Sequence, residues 1–196
     1  MPVHQIIDQQ KNIMKKILFT TFLLAGFFAT SFSQNYLTRN GNVSFSSHTA
    51  LEDVKAQNNE VVSTINSSTG DVEFRIAIKS FHFEKTAMEE HFNNDDYMAS
   101  EKFPKASFKG KITNLSAVNF SKDGEYNVSV SGSLTIKDVT KQINTDGKIT
   151  IKNGSVHVES SFSIQRKDYN VIGESFTQKK IGETINININ CDYDKM

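Results

Sequence analysis

Through most of the chain, apolar and polar side chains alternate with a period of two. The clearest run is Tyr126–Ile136, where even positions are apolar or glycine and odd positions are polar. Val72, Phe74, Ile76 and Ile78 set the same rhythm over Asp71–Lys79. Ile143, Gly147, Ile149 and Ile151 repeat it over Ile143–Lys152, and Val156, Val158, Phe162 and Ile164 repeat it further on. Ile185, Ile187, Ile189 and Cys191 alternate with Thr184, Asn186, Asn188 and Asn190. Alternation of this length predicts strands with one dry and one wet face. A helix would need apolar recurrence at three and four residues, which these windows lack.

Turn residues fall between the runs. Asn153-Gly154 separates two alternating segments, a strong hairpin signal, and Asp123-Gly124, Thr69-Gly70 and Asn40-Gly41 punctuate others. Hairpin after hairpin means antiparallel neighbours, since parallel pairs need long crossovers. Roughly eight such strands make an all-β chain, either a closed barrel or a sandwich. The apolar parity switches once, from Ile76 and Ile78 to Phe81 and Phe83. A bulge near Lys79–Ser80 is the expected cause. Thr86–Met98 breaks the β pattern and reads as a short helix and loop, with Met88 and Phe92 sharing a face. A second weak helix is expected over Ala50–Ala56.

The chain has 196 residues, with 22 basic and 22 acidic side chains and no net charge. That excludes a generally basic nucleic-acid binder, which needs a clustered positive excess. Lys15 and Lys16 precede the apolar run Ile17–Ala29, and Ser31 and Ser33 are small residues placed for cleavage. This arrangement predicts an export signal, with Met14 as the natural start, residues 1–13 as an extension of it and cleavage after Ser33. The run is shorter than the roughly 20 apolar residues of a membrane span, so no span is expected in the mature chain. Residues 34–196 are expected to form a single domain, periplasmic or secreted. Removing residues 1–33 leaves 19 basic and 21 acidic side chains, a net charge of −2. The single cysteine, Cys191, excludes an internal disulfide. A homodimer is compatible with the sequence.

Catalytic chemistry has little support. The five histidines are scattered, and no two stand four apart on a predicted helix. His82 and His91 flank the helical segment near Glu89 and Glu90, but an exposed acidic helix is a stronger reading than a metal site. There is no G-x-S-x-G elbow and no phosphate-cradling glycine loop. Cys191 falls on the apolar parity, which makes it a buried small hydrophobe rather than a nucleophile. The expectation is no enzyme, no cofactor and no metal. Arg166 follows Ile164 by two and so falls on the apolar face, where it could cap the interior, pair with Asp168 or Glu89, or touch a ligand.

Three segments carry a family resemblance. The first is His91-Phe92, Asp95-Asp96-Tyr97 and Phe103-Pro104 through Gly110; the second is Val130 through Lys141; the third is Ile164 through Val171. Their order and spacing resemble the YceI-like family over essentially the whole mature chain. The resemblance implies an extended lipocalin-like antiparallel barrel, exported, that holds a long apolar chain such as a polyisoprenoid in its lumen. It also implies an arginine–aspartate pair where Met88 and Glu89 stand, and a glycine where Asn170 stands. In such a barrel the lumen walls would include Phe74, Ile76, Val128, Val130, Leu134, Ile149, Phe162, Ile164 and Ile187. Met88, Phe92, Tyr97, Phe108 and Arg166 would cover the mouth. The eleven residues of Tyr126–Ile136, at about 3.3 Å each and a tilt of about 40°, give a lumen roughly 28 Å long. Gly132 and Gly147, on the dry face, are expected to leave space. The resulting expectation is a carrier or sequestering protein for a long-chain isoprenoid, isoprenoid quinone or lipid. The alternative is a secreted interaction or stress-response protein whose barrel is filled by its own side chains.

Overall fold

A computed structural model describes residues 34–173 and 180–196. The expected export signal lies outside the described residues. Eight long strands and one two-residue strand form a single antiparallel sheet: β1 Asn35–His48, β2 Asp53–Asn66, β3 Asp71–Ala77, β4 His82–Phe83, β5 Lys105–Ile112, β6 Gly124–Ile136, β7 Val139–Lys152, β8 Ser155–Gln165 and β9 Thr184–Lys195. The order runs β1-β9-β8-β7-β6-β5-β3-β2, and β1 pairs with β2, so the sheet closes on itself. The result is an eight-stranded antiparallel barrel with one helix, α1 Thr86–Asn93. Among the described residues no helix is long and apolar enough to cross a membrane.

The hairpins follow local turn chemistry. Between β7 and β8, Asn153 and Gly154 take φ values of 51° and 81°, the left-handed pair that a two-residue hairpin of matching twist requires. The Asp123 carboxylate accepts the Asn153 N–H at 3.0 Å, tying this turn to the start of β6. At the opposite end β1 turns into β2 through Thr49, whose hydroxyl accepts the backbone N–H groups of Leu51 and Glu52 at 3.2 and 3.0 Å. That turn, and the pairing of β2 from Asp53 onward, replace the helix expected over Ala50–Ala56. Asn40-Gly41 is no turn either: β1 runs through it, and the register slips on both sides of Gly41.

The parity switch after Ile78 is made by a 3-10 turn, Ile78–Ser80, rather than by a bulge. The turn delivers Phe81 and Phe83 to the interior, and β4 then pairs Phe83 with Ala56 of β2. The strand ends at His48, Ala77, Ile136 and Gln165 mark one end of the barrel, the mouth. The other end, the floor, is packed solid by Tyr36, Ile151, Val156 and Tyr193, with Phe120 stacked on Tyr36 at 5.4 Å between ring centroids. The buried Tyr193 hydroxyl is satisfied by Ser63 at 2.7 Å.

Gly132 does not leave empty space. It pairs directly with Gly110 across β5 and β6, and a Cβ on Gly132 would stand 2.6 Å from Cζ of Phe108 and 2.4 Å from the Gly110 backbone. The two glycines let the Phe108 ring lie over the strands. Gly132→Ala should therefore cost about 2 kcal/mol through overpacking, lowering Tm by roughly 4–8 °C in a thermal melt followed by circular dichroism.

Candidate functional site

The inward faces of the strands do not meet. They enclose a cavity of about 460 Å³ that is lined almost wholly by apolar side chains. The nine positions expected for the walls all face it: Phe74 and Ile76 from β3, Val128, Val130 and Leu134 from β6, Ile149 from β7, Phe162 and Ile164 from β8, and Ile187 from β9. The period of two dictates this, because a closed barrel turns every dry-face residue inward. Lining residues beyond those nine include Ile143, Ile185 and Ile189, whose parity matches that of their expected neighbours and so carries the same signal in the sequence. Phe81 arrives through the 3-10 turn, which alternation does not foretell.

The mouth is built from α1 and two connecting segments. Met88, His91 and Phe92 of α1 face the cavity. Phe92 sits among Phe45, Phe81 and Phe83, with ring centroids 5.1–5.7 Å from its own. Glu89, where the resemblance implies a different carboxylate, accepts the Phe83 N–H at 3.2 Å and pairs with His82 at 3.4 Å. It thus fastens the helix to β4. Tyr97 is buried beside the cavity, and the Lys137 ammonium donates to its backbone carbonyl at 2.8 Å. Phe108 stands within the wall rather than over the mouth: it is mid-strand in β5, paired with Phe74, with ring centroids 6.4 Å apart.

Arg166 is only 2% exposed, yet it is fully provided for. Its guanidinium donates to the carbonyls of Val171 at 2.9 Å, Gly182 at 3.2 Å and Ile172, and pairs with Glu183 at 3.2 Å. The partner is Glu183, not Asp168 or Glu89. Arg166 also lines the cavity, but its polar atoms are taken up in holding the segment after β8 to the segment before β9. Asn170, in place of a glycine, adopts a left-handed φ of 56°, which asparagine tolerates better than most residues.

Charge gathers at the rim. Lys85 bonds Glu52 at 2.9 Å, and both face the cavity together with Lys180. The bond to Lys85 holds the Glu52 carboxyl below its ordinary range, and the same bond raises the Lys85 ammonium. The histidines do not converge: His48 pairs with Asp53, His82 with Glu89 and His157 with Asp192. Among the described residues no three potential metal ligands cluster.

Cys191 is buried, and desolvation pushes its thiol up to about 11. A group raised in this way stays protonated through neutral pH and forms thiolate only as pH approaches that value. Ellman's reagent at pH 8 should therefore react with the folded protein far more slowly than with protein in urea. Arg166→Met should cost about 3 kcal/mol in urea denaturation, because three carbonyls and a carboxylate lose a charged donor. Arg166→Lys should recover part of that loss.

A closed antiparallel barrel around an apolar lumen, with a helix at its mouth, defines the class of lipocalin-like barrels. Within that class, the sequence pattern of the YceI-like domain matches residues 35–193, and the chain belongs to that family. Among solved structures, a polyisoprenoid binding domain from Saccharophagus degradans implicated in plant cell wall breakdown is similar, with a TM-score of 0.71 at 14% identity, covering 83% of this chain and 98% of that one. BcnA of Burkholderia cenocepacia is similar with a TM-score of 0.65 at 15% identity, covering 79% and 96%. The Campylobacter jejuni YceI protein gives 0.56 at 22% identity, covering 76% and 90%. At these identities the likeness is one of fold. No curated protein matches the chain.

Proposed function

We propose that this protein is an exported binding protein that holds a long apolar chain in its barrel lumen, as a carrier or sequestering protein. The ligand is a polyisoprenoid, an isoprenoid quinone or a comparable long-chain amphiphile. The observation that carries the reading is the apolar cavity of about 460 Å³. Natural interiors are close-packed and hold few voids larger than a water molecule, so an opening of this size favours a bound ligand over a barrel filled by its own side chains. Family membership and the polyisoprenoid-binding relative support the chemical class. The export signal read from Lys15 to Ser33 supports a place beyond the cytoplasmic membrane.

The tail supplies most of the affinity. Burying about ten chain carbons at roughly 0.8 kcal/mol each yields about 8 kcal/mol before the costs of ordering. Micromolar binding needs about that much net, so longer chains are favoured.

Organic extraction of protein purified from its native host, followed by mass spectrometry, should recover a long-chain amphiphile in near-stoichiometric amount. Val130→Phe and Leu134→Phe should weaken binding of long chains by about tenfold and of short chains by less, since each ring shortens the space that a tail can fill. Variants that keep a native circular dichroism spectrum and bind every chain length as before would place the tail outside the barrel.

A further inference from the structure

The ladder between β7 and β8 stops part-way up the wall. From the floor it runs from Lys152 opposite Ser155 to Gly147 opposite Ser160. Above that point β7 continues from Asp146 to Val139 and β8 from Ser161 to Gln165, with no pairing between them. Neither strand frays. On its other side β7 stays paired with β6 as far as Val139, and β8 stays paired with β9 as far as Gln165. Two intact strands therefore part company and leave a slit in the mouth-side half of the wall.

The slit is finished at both ends. At its foot the Asp146 carbonyl, which a continuing ladder would give to β8, accepts the Ser160 hydroxyl at 2.7 Å and the Thr145 hydroxyl at 3.2 Å. Thr145 and Ser160 stand on the dry face of their strands, among apolar neighbours, and their hydroxyls lie 3.3 Å apart. Capping the ladder accounts for two polar residues where the alternation calls for apolar ones. At the top, the segment after β8 crosses to the β6–β7 hairpin, where Lys137 donates to the Asn170 carbonyl at 3.0 Å.

The lips suit an apolar chain. Ile143 on β7 and Phe162 and Ile164 on β8 are half-buried and face the cavity. The outward positions Asn144 and Ser163 carry no charge and so hold no tightly bound ionic hydration. End-on entry, by contrast, leads past the Phe92 ring cluster and the Glu52–Lys85 ion pair.

We propose that the slit between β7 and β8 is a side entrance to the lumen, through which the ligand's chain passes broadside instead of threading end-on past α1. The proposal rests on the reading that the lumen holds an apolar chain. Broadside passage relieves a long, kinked chain of being straightened, and it lets a chain longer than the lumen trail through the wall.

The test joins the two lips. Continuing the register puts Asn144 opposite Ser163, so an Asn144→Cys/Ser163→Cys variant can be bridged by a short bis-methanethiosulfonate and released with dithiothreitol. Stopped-flow fluorescence with a dansyl-labelled geranylgeranyl probe then reads both rates. Bridging should slow association and release by about tenfold and leave affinity within about threefold, with recovery on reduction. A Glu52→Cys/Lys85→Cys bridge across the mouth should change either rate by less than about twofold. Unchanged rates with the lips bridged, or slowing only with the mouth bridged, overturn the proposal. A probe that gives no signal with unbridged protein overturns the ligand reading, and the entrance falls with it.

A second measurement needs no ligand and no variant. Alternate residues of an antiparallel strand turn their backbone groups to the same neighbour. The Asp146 carbonyl turns to β8, so the amides of Gln142 and Asn144 do too, while those of Ile143 and Thr145 turn to β6. Hydrogen exchange should therefore be fast at Gln142 and Asn144 and slow at Ile143 and Thr145. Uniform protection over these four residues would mean that the ladder continues, and no slit exists.

Discussion

Pairing of β1 with β2 is what turns nine strands of sheet into a vessel. Without it, β1 and β2 would each present a long edge to solvent, and the dry faces would have no common interior to share. With it, alternate side chains from each long strand face inward, and the sheet's curvature keeps opposite walls from touching. The floor shows how such an interior can be filled: Tyr36, Ile151, Val156 and Tyr193 close it with four large side chains, one of whose hydroxyls needs Ser63 as a partner. Higher up, the strands line the cavity mostly with valine and isoleucine, which are too short to reach across. The cavity is thus a direct product of closure combined with residue size.

How much of this was legible in the sequence follows from how local each determinant is. The strands and their dry faces were legible because a period of two is written residue by residue; Val128, Ile149 and Ile187 face the lumen for that reason alone. Features set by contacts across the sheet were not. The 3-10 turn at Ile78–Ser80 accomplishes what a bulge would, and the two cannot be told apart by parity. Asn40-Gly41 carries a turn signature, but β1 stays paired before and after it, so the signature becomes a register slip instead of a turn. The helix expected over Ala50–Ala56 lost to the Thr49 hydroxyl, which caps two amides and sets up a hairpin. For Arg166 the sequence placed the side chain correctly and its partner wrongly, because Glu183 is brought near only by β9.

The polar groups at the mouth show a division of labour. Arg166 is sequestered by three carbonyls and Glu183, and so serves the architecture of the segments that frame the lumen. Glu89 similarly serves α1. The charges left at the cavity rim are the half-buried Glu52 and the exposed Lys85 and Lys180. Under the proposed function, the lumen would discriminate a tail by its length and shape more than a head group, since a partly exposed ion pair at the rim contributes little.

Gly110 and Gly132 are modest members of the wall, yet they govern its calibre. Lacking Cβ atoms, they give the Phe108 ring a recess, so that the aromatic plane is laid along the strands like a tile. A methyl group at either position would evict that ring toward the axis. The bore would then narrow at mid-depth, and a deep pocket would become a shallow cup. The capacity of this protein is therefore set as much by two absent methyl groups as by the side chains that are present.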